Sequence, residues 1–229
     1  MPCNHKAFSK QRWALTQKAE MDLLSKHKCL QHITNMRHYA RERYMPHIEP
    51  YCNVLTEHSH ILEVACGATC LASEIPQGRK VFLDPLLDFF RRELPGSLPD
   101  LPDKQVLAIE AERMSLDSKS FDFILCLCGI SHMYNPELVL HEIERILKEE
   151  GVFILSVVVW PVWMSRLYYR LSPFVPKNLL KNRLYCYAPR GIRKTLARHF
   201  EITSETTLPI DAWYSLKREL FFVCKYKRL

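Results

Sequence analysis

At 229 residues and 48% hydrophobic, the chain is long enough to bury a full α/β core, and its 25% of charged residues is ordinary for a folded domain. A net charge of +7 with a pI near 8.9 favours anionic partners without naming one. Nine cysteines, an odd number with several inside apolar runs, argue for reduced thiols, and without paired Cys-x-x-Cys motifs no structural metal is expected.

The opening Met-Pro-Cys-Asn-His-Lys lacks the apolar core of a signal peptide. The longest near-apolar run, residues 152–164, falls short of the ~18 residues a spanning helix needs. A cytoplasmic protein with no transmembrane segment is the expectation. Residues 11–48 read as helix, since Leu23, Leu30, Ile33, Met36, Ala40 and Tyr44 recur at helical steps. Pro46 and Pro50 close this region.

A strand over His60–Ala65 runs into the small-residue turn Ala65-Cys-Gly-Ala-Thr. A short helix to about Ile75 follows, ended by Pro76 and Gly78. Next come a strand over Lys80–Asp84, a brief helix over Asp88–Leu94 and a proline-rich loop over 95–104. Gln105–Glu110 and Phe121–Cys128 are strands, the second apolar enough to be buried on both faces. Asn135 caps the next helix, Pro136 opens it, and Lys148 and Gly151 mark its end before a strand over Val152–Val159. Aromatic and cationic side chains then crowd residues 160–187, including Phe174, Lys177, Lys181 and Arg183. A helix over Pro189–Phe200 and strands over Glu201–Thr206 and Glu219–Tyr226 finish the chain, with no repeat and no linker.

Strands alternating with helices build a parallel sheet whose ligands bind at the carboxyl ends of the strands. Glu63, Gly67 and Asp84 share that edge.

Several motifs carry a family likeness. Leu62-Glu-Val-Ala-Cys-Gly-Ala resembles the first motif of the class I S-adenosylmethionine (SAM) methyltransferases, and Val81-Phe-Leu-Asp84 resembles their second. Ile109-Glu-Ala-Glu112, Ser120-Phe-Asp-Phe-Ile and the helix ending at Gly151 are similar to those that follow, in the branch with ubiquinone-type and small-molecule enzymes. The resemblance implies an α/β, Rossmann-like, doubly wound, mostly parallel seven-stranded sheet with helices on both faces and the last strand antiparallel. It implies one domain over 1–229: a helical cap (1–59), a SAM-binding core (60–159), a substrate-region insertion (160–188) and a closing helix with strands (189–229). Two of the family's three turn glycines are replaced, by Ala65 and Thr69. The turn also fails the Gly-x-Gly-x-x-Gly fingerprint of nicotinamide dehydrogenases.

On this likeness the cofactor contacts are Glu63, Ala65, Gly67, Asp84, Pro85, Glu110, Ala111, Glu112 and Cys128. Asp84 takes the ribose hydroxyls, Glu110 or Glu112 with the Ala111 backbone reads the adenine, and Cys128 borders the methionine part. His132, just beyond the fourth strand, is the candidate base. Trp160, Trp163, Tyr168 and Arg170 are the expected acceptor contacts. The expected reaction is methyl transfer to oxygen or carbon of a small molecule, glycan or lipid-linked intermediate, with peripheral membrane contact allowed and nucleic acid disfavoured. The alternatives are a SAM-fold binding or scaffold module without turnover, and an RNA or protein methyltransferase.

Overall fold

The computed structural model describes residues 8–26, 30–101, 104–171, 184–210 and 216–227. Its elements are α1 (Lys10–Lys26), α2 (Leu30–Ile48), β1 (His60–Val64), β2 (Arg79–Leu83), α3 (Leu87–Glu93), β3 (Gln105–Leu107), β4 (Phe121–Leu127), α4 (Pro136–Ile146), β5 (Leu147–Val159), α5 (Val162–Leu171), α6 (Pro189–His199), β6 (Phe200–Leu208) and β7 (Arg218–Tyr226). The seven strands form one sheet in the order β3-β2-β1-β4-β5-β7-β6. β1 to β5 pair in parallel, and β7 runs antiparallel to both of its neighbours. This is the expected seven-stranded, doubly wound sheet with its last strand reversed. Strand order reverses between β1 and β4, which opens a crevice at their carboxyl ends.

Alternation along β1 explains why helices cover both faces. Leu62 and Val64 join one core with Val139, Leu140 and Ile143 of α4 and Ile192 and Leu196 of α6. Ile61 points the other way, into a core with Ile33, Ala40 and Ile48 of α2 and Leu87 and Phe90 of α3. A strand that is apolar on both faces cannot leave either to water. Asn135 caps α4 as expected: its side chain accepts the Leu138 N–H at 3.3 Å, with Pro136 in the first turn.

Several boundaries differ from the sequence reading. Pro46 lies inside α2, because the buried Met45 and Ile48 hold the last turn beyond it. Of the expected stripe, Ile33 and Ala40 are buried, Leu23 and Met36 are exposed, and the Leu30 side chain lies outside the described ones. The helix expected after the first turn is only the 3-10 turn Leu71–Glu74. β3 stops at Leu107, where its pairing to β2 ends. β5 begins at Leu147 rather than Val152, and its register with β4 shifts between Phe121 and Phe123, which absorbs the residues before Gly151. Phe174, Lys177, Lys181 and Arg183 lie outside the described residues.

Candidate active site

The turn after β1 is held by side chains from its own edge of the sheet. Ala65, Gly67 and Cys70 all have positive φ, at 56°, 55° and 45°. Glycine adopts this conformation freely, whereas Ala65 is disfavoured there by about 1 kcal/mol. A side chain on Gly129 would bring its Cβ within 2.5 Å of the Ala65 Cβ. The glycine expected at position 65 has thus been traded for a bare backbone at position 129. Thr69 folds back on the turn, its Oγ1 donating to the Cys66 carbonyl at 3.0 Å.

Three buried acids clamp this edge. Glu63 accepts the Ala72 N–H at 2.7 Å. Asp84 accepts the Gly67 N–H at 3.0 Å through Oδ2 and the Leu86 N–H at 2.8 Å through Oδ1. Glu112 accepts the Tyr134 and Asn135 N–H groups at 2.7 and 3.0 Å, which fixes the start of α4. Burial pushes the Glu63 carboxyl up to about 7 and that of Asp84 up to about 6, against the pull of the backbone donors. Burial likewise raises Glu112. Glu110 goes the other way: burial acts upward, but the Lys10 ammonium at 2.6 Å and the Tyr134 hydroxyl at 3.1 Å outweigh it.

All of the expected cofactor residues (Glu63, Ala65, Gly67, Asp84, Pro85, Glu110, Ala111, Glu112, Cys128), together with His132, line a single cavity of about 400 Å³. The expected acceptor residues do not. Among the described residues, the far wall comes from α1 and α2 instead: Trp13, Gln17, Glu20, Leu24, Met36, Tyr39 and Tyr44. Trp160 lies under the Lys217 ammonium, Trp163 and Arg170 face outward, and the Tyr168 hydroxyl donates to the Leu184 carbonyl at 3.0 Å. The inner face of α5 is taken up by these backbone contacts, so its side chains turn away from the cavity.

A buried network that no sequence motif announces lies next to the cavity. Glu219, at the head of β7, accepts the Tyr44 hydroxyl at 2.7 Å, the Cys128 thiol at 3.3 Å and the Arg43 guanidinium at 3.0 Å. Burial acts to raise the Glu219 carboxyl, but the hydrogen bonds from Tyr44 and Arg43 hold it below the usual range. Burial, with Glu219 beside it, pushes Cys128 up to about 11, so it is a thiol at neutral pH and no ready nucleophile. The signal in the sequence was a lone acid opening the apolar run Leu220-Phe-Phe-Val-Cys224. No motif marks Arg37, which donates to the Thr69 carbonyl at 2.9 Å and to the Ser97 carbonyl at 2.6 Å, bracing the turn from outside.

The strand order and the acid-clamped turn define a nucleotide-type cradle at the switch point of the sheet. Residues 62–155 match the family model described as a methyltransferase domain. A search of curated proteins finds no match. Among solved structures, a geranyl diphosphate C-methyltransferase from Streptomyces coelicolor, bound to Mg2+, geranyl diphosphate and S-adenosyl-L-homocysteine, aligns at a TM-score of 0.64 and 9% identity, over 83% of this chain and 80% of that one. A SAM-dependent methyltransferase from Methanosarcina mazei aligns at 0.56 and 16%, over 77% and 96%. An N-methyltransferase from Bradyrhizobium japonicum with bound S-adenosyl-L-homocysteine aligns at 0.56 and 10%, over 74% and 79%. At these identities the likeness is one of fold. Over residues 62–155 the chain is similar to the methyltransferase domain family, whose members use S-adenosylmethionine as cofactor.

The cavity suits that cofactor. A Cβ on Gly67 would meet no atom within 4 Å, so the space beside this backbone is open to a ligand. Glu20, Glu63, Asp84, Glu110 and Glu112 line the cavity, and no lysine or arginine does among the described residues. In a chain of net charge +7, that is a local reversal of sign matched to a cationic ligand. Among the described residues no helix is long and apolar enough to cross a membrane.

Proposed function

We propose that the enzyme methylates oxygen or carbon of a small molecule, glycan or lipid-linked intermediate at the α1–α2 side of this cavity. The observation that carries the reading is the lining: acidic residues and, among the described residues, no lysine or arginine, with an apolar, aromatic wall of Trp13, Leu24, Met36, Tyr39 and Tyr44 opposite the cradle. Such a wall favours an uncharged, partly apolar acceptor and disfavours a polyphosphate backbone inside the cavity. In this reading residues 1–59 cap the 60–159 core and residues 189–229 close the sheet, while the described residues of the 160–188 segment do not line the cavity.

S-adenosylmethionine supplies a methyl group already activated on a sulfonium cation. The protein's own share is binding, orientation and proton removal. Asp84 has spare lone pairs on both oxygens for ribose hydroxyls. Glu63 keeps the turn closed and adds negative charge, Ala65, Gly67 and Pro85 present close backbone, and Glu110 or Glu112 with the Ala111 backbone reads the adenine edge. Cys128 borders the methionine part. A ring nitrogen of His132 takes the acceptor's proton. The fold of a C-methyltransferase bound to geranyl diphosphate is compatible with an isoprenoid acceptor here.

The test is transfer of a radiolabelled methyl group from SAM into a cell extract separated into lipid, small-molecule, protein and RNA fractions. Label in the lipid or small-molecule fraction, lost in His132→Ala, supports the reading. Label confined to RNA or protein refutes it.

A further inference from the structure

We propose that α5 docks the enzyme on an anionic lipid surface. The helix is built inside out. Its inward residues carry polar atoms satisfied by backbone, with the Tyr169 ring packed on the core: Ser165 Oγ donates to the Cys186 carbonyl at 2.6 Å, the Tyr168 hydroxyl to the Leu184 carbonyl at 3.0 Å, and the Tyr169 hydroxyl accepts the Cys186 N–H at 3.1 Å. Its outward residues are apolar and basic. Trp163, Leu167 and Leu171 are 60%, 47% and 43% exposed, and Arg166 and Arg170 stand on the same face at helical spacing. Neither arginine makes an ion pair among the described residues, whereas Arg193 and Arg198 are paired with Glu205 and Glu137. A helix packed only for water would bury its tryptophan and leucines. An apolar stripe interleaved with arginines is the pattern of a helix lying in a bilayer interface.

Charge in the sequence points the same way. Residues 151–200 hold nine lysines and arginines and no aspartate or glutamate, while the remainder of the chain has a slight excess of acids. The basic character of the protein is thus concentrated in the stretch that contains α5, and it complements an anionic headgroup layer. Position in the fold fits as well. β5 ends at Val159, at the carboxyl edge that holds the cavity, and α5 starts at Val162. The Lys217 ammonium sits 4.1 Å from the centre of the Trp160 ring, which places the exposed Leu216 at the same edge. Docking here presents the cavity edge to the bilayer, which narrows the acceptor to one carried on a lipid; that narrowing rests on the function proposed above, but the docking does not.

Two other occupants fit less well. A second copy of the chain, related by a twofold axis, would bring Arg166 and Arg170 against their own counterparts. Nucleic acid has use for the arginines but none for two exposed leucines.

The test is co-sedimentation with vesicles of phosphatidylcholine alone or mixed with phosphatidylglycerol, in parallel with SAM titration and sedimentation velocity. We expect the wild type to pellet with the mixed vesicles. Leu167→Ser/Leu171→Ser should lower the partition coefficient at least about tenfold. Arg166→Gln should weaken binding to the mixed vesicles and flatten its salt dependence, and SAM affinity should be unchanged in both variants. Wild-type protein that binds SAM yet stays in the supernatant overturns the docking. So does a double variant that pellets as well as wild type, a vesicle-free dimer that the double variant dissolves, or RNA binding that replaces vesicle binding. Loss of SAM binding by wild type that still pellets refutes the cofactor assignment instead.

Discussion

Asp84 is where the cofactor reading is most exposed to refutation. The carboxyl is 9% exposed, and each oxygen already accepts one backbone N–H, from Gly67 at 3.0 Å and Leu86 at 2.8 Å. Burial has pushed it up to about 6, so it changes charge within an accessible pH range. If the ionised form accepts the ribose hydroxyls, affinity must follow the ionised fraction. That fraction is about nine-tenths at pH 7 and about one-tenth at pH 5, so affinity should fall roughly tenfold between the two. The fall occurs on acidification, because protonation removes an acceptor the ligand uses. Asp84→Asn keeps the shape but offers its oxygen to only one of the two backbone donors and its NH2 to the other. Loss of charge-assisted bonds of ~1.5–3 kcal/mol predicts affinity about 10- to 100-fold weaker.

The assay is calorimetric titration with S-adenosyl-L-homocysteine, which cannot turn over, at several pH values for wild type and Asp84→Asn. In the variant the dependence centred near 6 should vanish. A residual dependence near 7 would belong to Glu63, whose carboxyl is pushed to about 7. A wild-type affinity that is flat between about pH 5 and 7, or a folded variant within about threefold of wild type, refutes the assignment of Asp84.

Other consequences follow from the clamps. Gly129→Ala should destabilise by ~1–3 kcal/mol through its clash with Ala65; Ala65→Gly should stabilise by about 1 kcal/mol and rescue Gly129→Ala, and denaturation of the four proteins checks the coupling. Glu63 is a carboxyl raised by burial, so the folded state holds its proton more tightly than the unfolded one. Its contribution therefore makes stability fall as pH rises from about 4.5 to about 7, on the order of 3 kcal/mol in all, and Glu63→Gln should flatten that part of the urea-denaturation profile. Arg43→Met leaves the Glu219 carboxylate buried without its cation and should cost ~3–5 kcal/mol in chemical denaturation, with hydrogen exchange rising across α2.

Much of the frame was legible in the sequence because it rests on local rules. Asn135-Pro136 writes the start of α4, and the apolar runs ending at Glu63 and Asp84 write two parallel strands and the edge they share. Period and punctuation failed where neighbours decide. Lys148–Gly151 reads as a helix end, yet Leu147 already pairs with Phe121. The aromatic stretch after β5 looks like an acceptor pocket by composition, but composition is blind to direction: Ser165, Tyr168 and Tyr169 of α5 turn toward the 184–186 backbone and the apolar residues turn out. The Glu219 network was illegible for a different reason. Its members come from α2, the residue just after β4, and β7, and no spacing rule connects Arg43 to a carboxylate 176 positions away.

That long-range network also decides which part of the N-terminal region is fixed. α2 is tied to the sheet at both ends of the site, by Arg37 on the turn after β1 and by Arg43 and Tyr44 on Glu219. The Arg43–Glu219 pair is buried, with side chains 11% and 4% exposed, and breaking it strands a charge away from water. α1 is tied more lightly. Lys10 meets Glu110 with side chains 45% and 25% exposed, a pair worth ~0–1 kcal/mol, and the Phe8 N–H reaches the Tyr134 carbonyl at 2.9 Å. Trp13 adds one edge contact with Tyr134 at 5.7 Å. Access to the cavity therefore costs least through α1, with α2 remaining part of the rigid frame. The ties of α1 run to Glu110 and Tyr134, beside the expected adenine position, while those of α2 run to the turn after β1, Cys128 and Glu219. A cofactor that engages Glu110 competes with Lys10 for the same carboxylate, so cofactor binding and release of α1 are linked through one side chain.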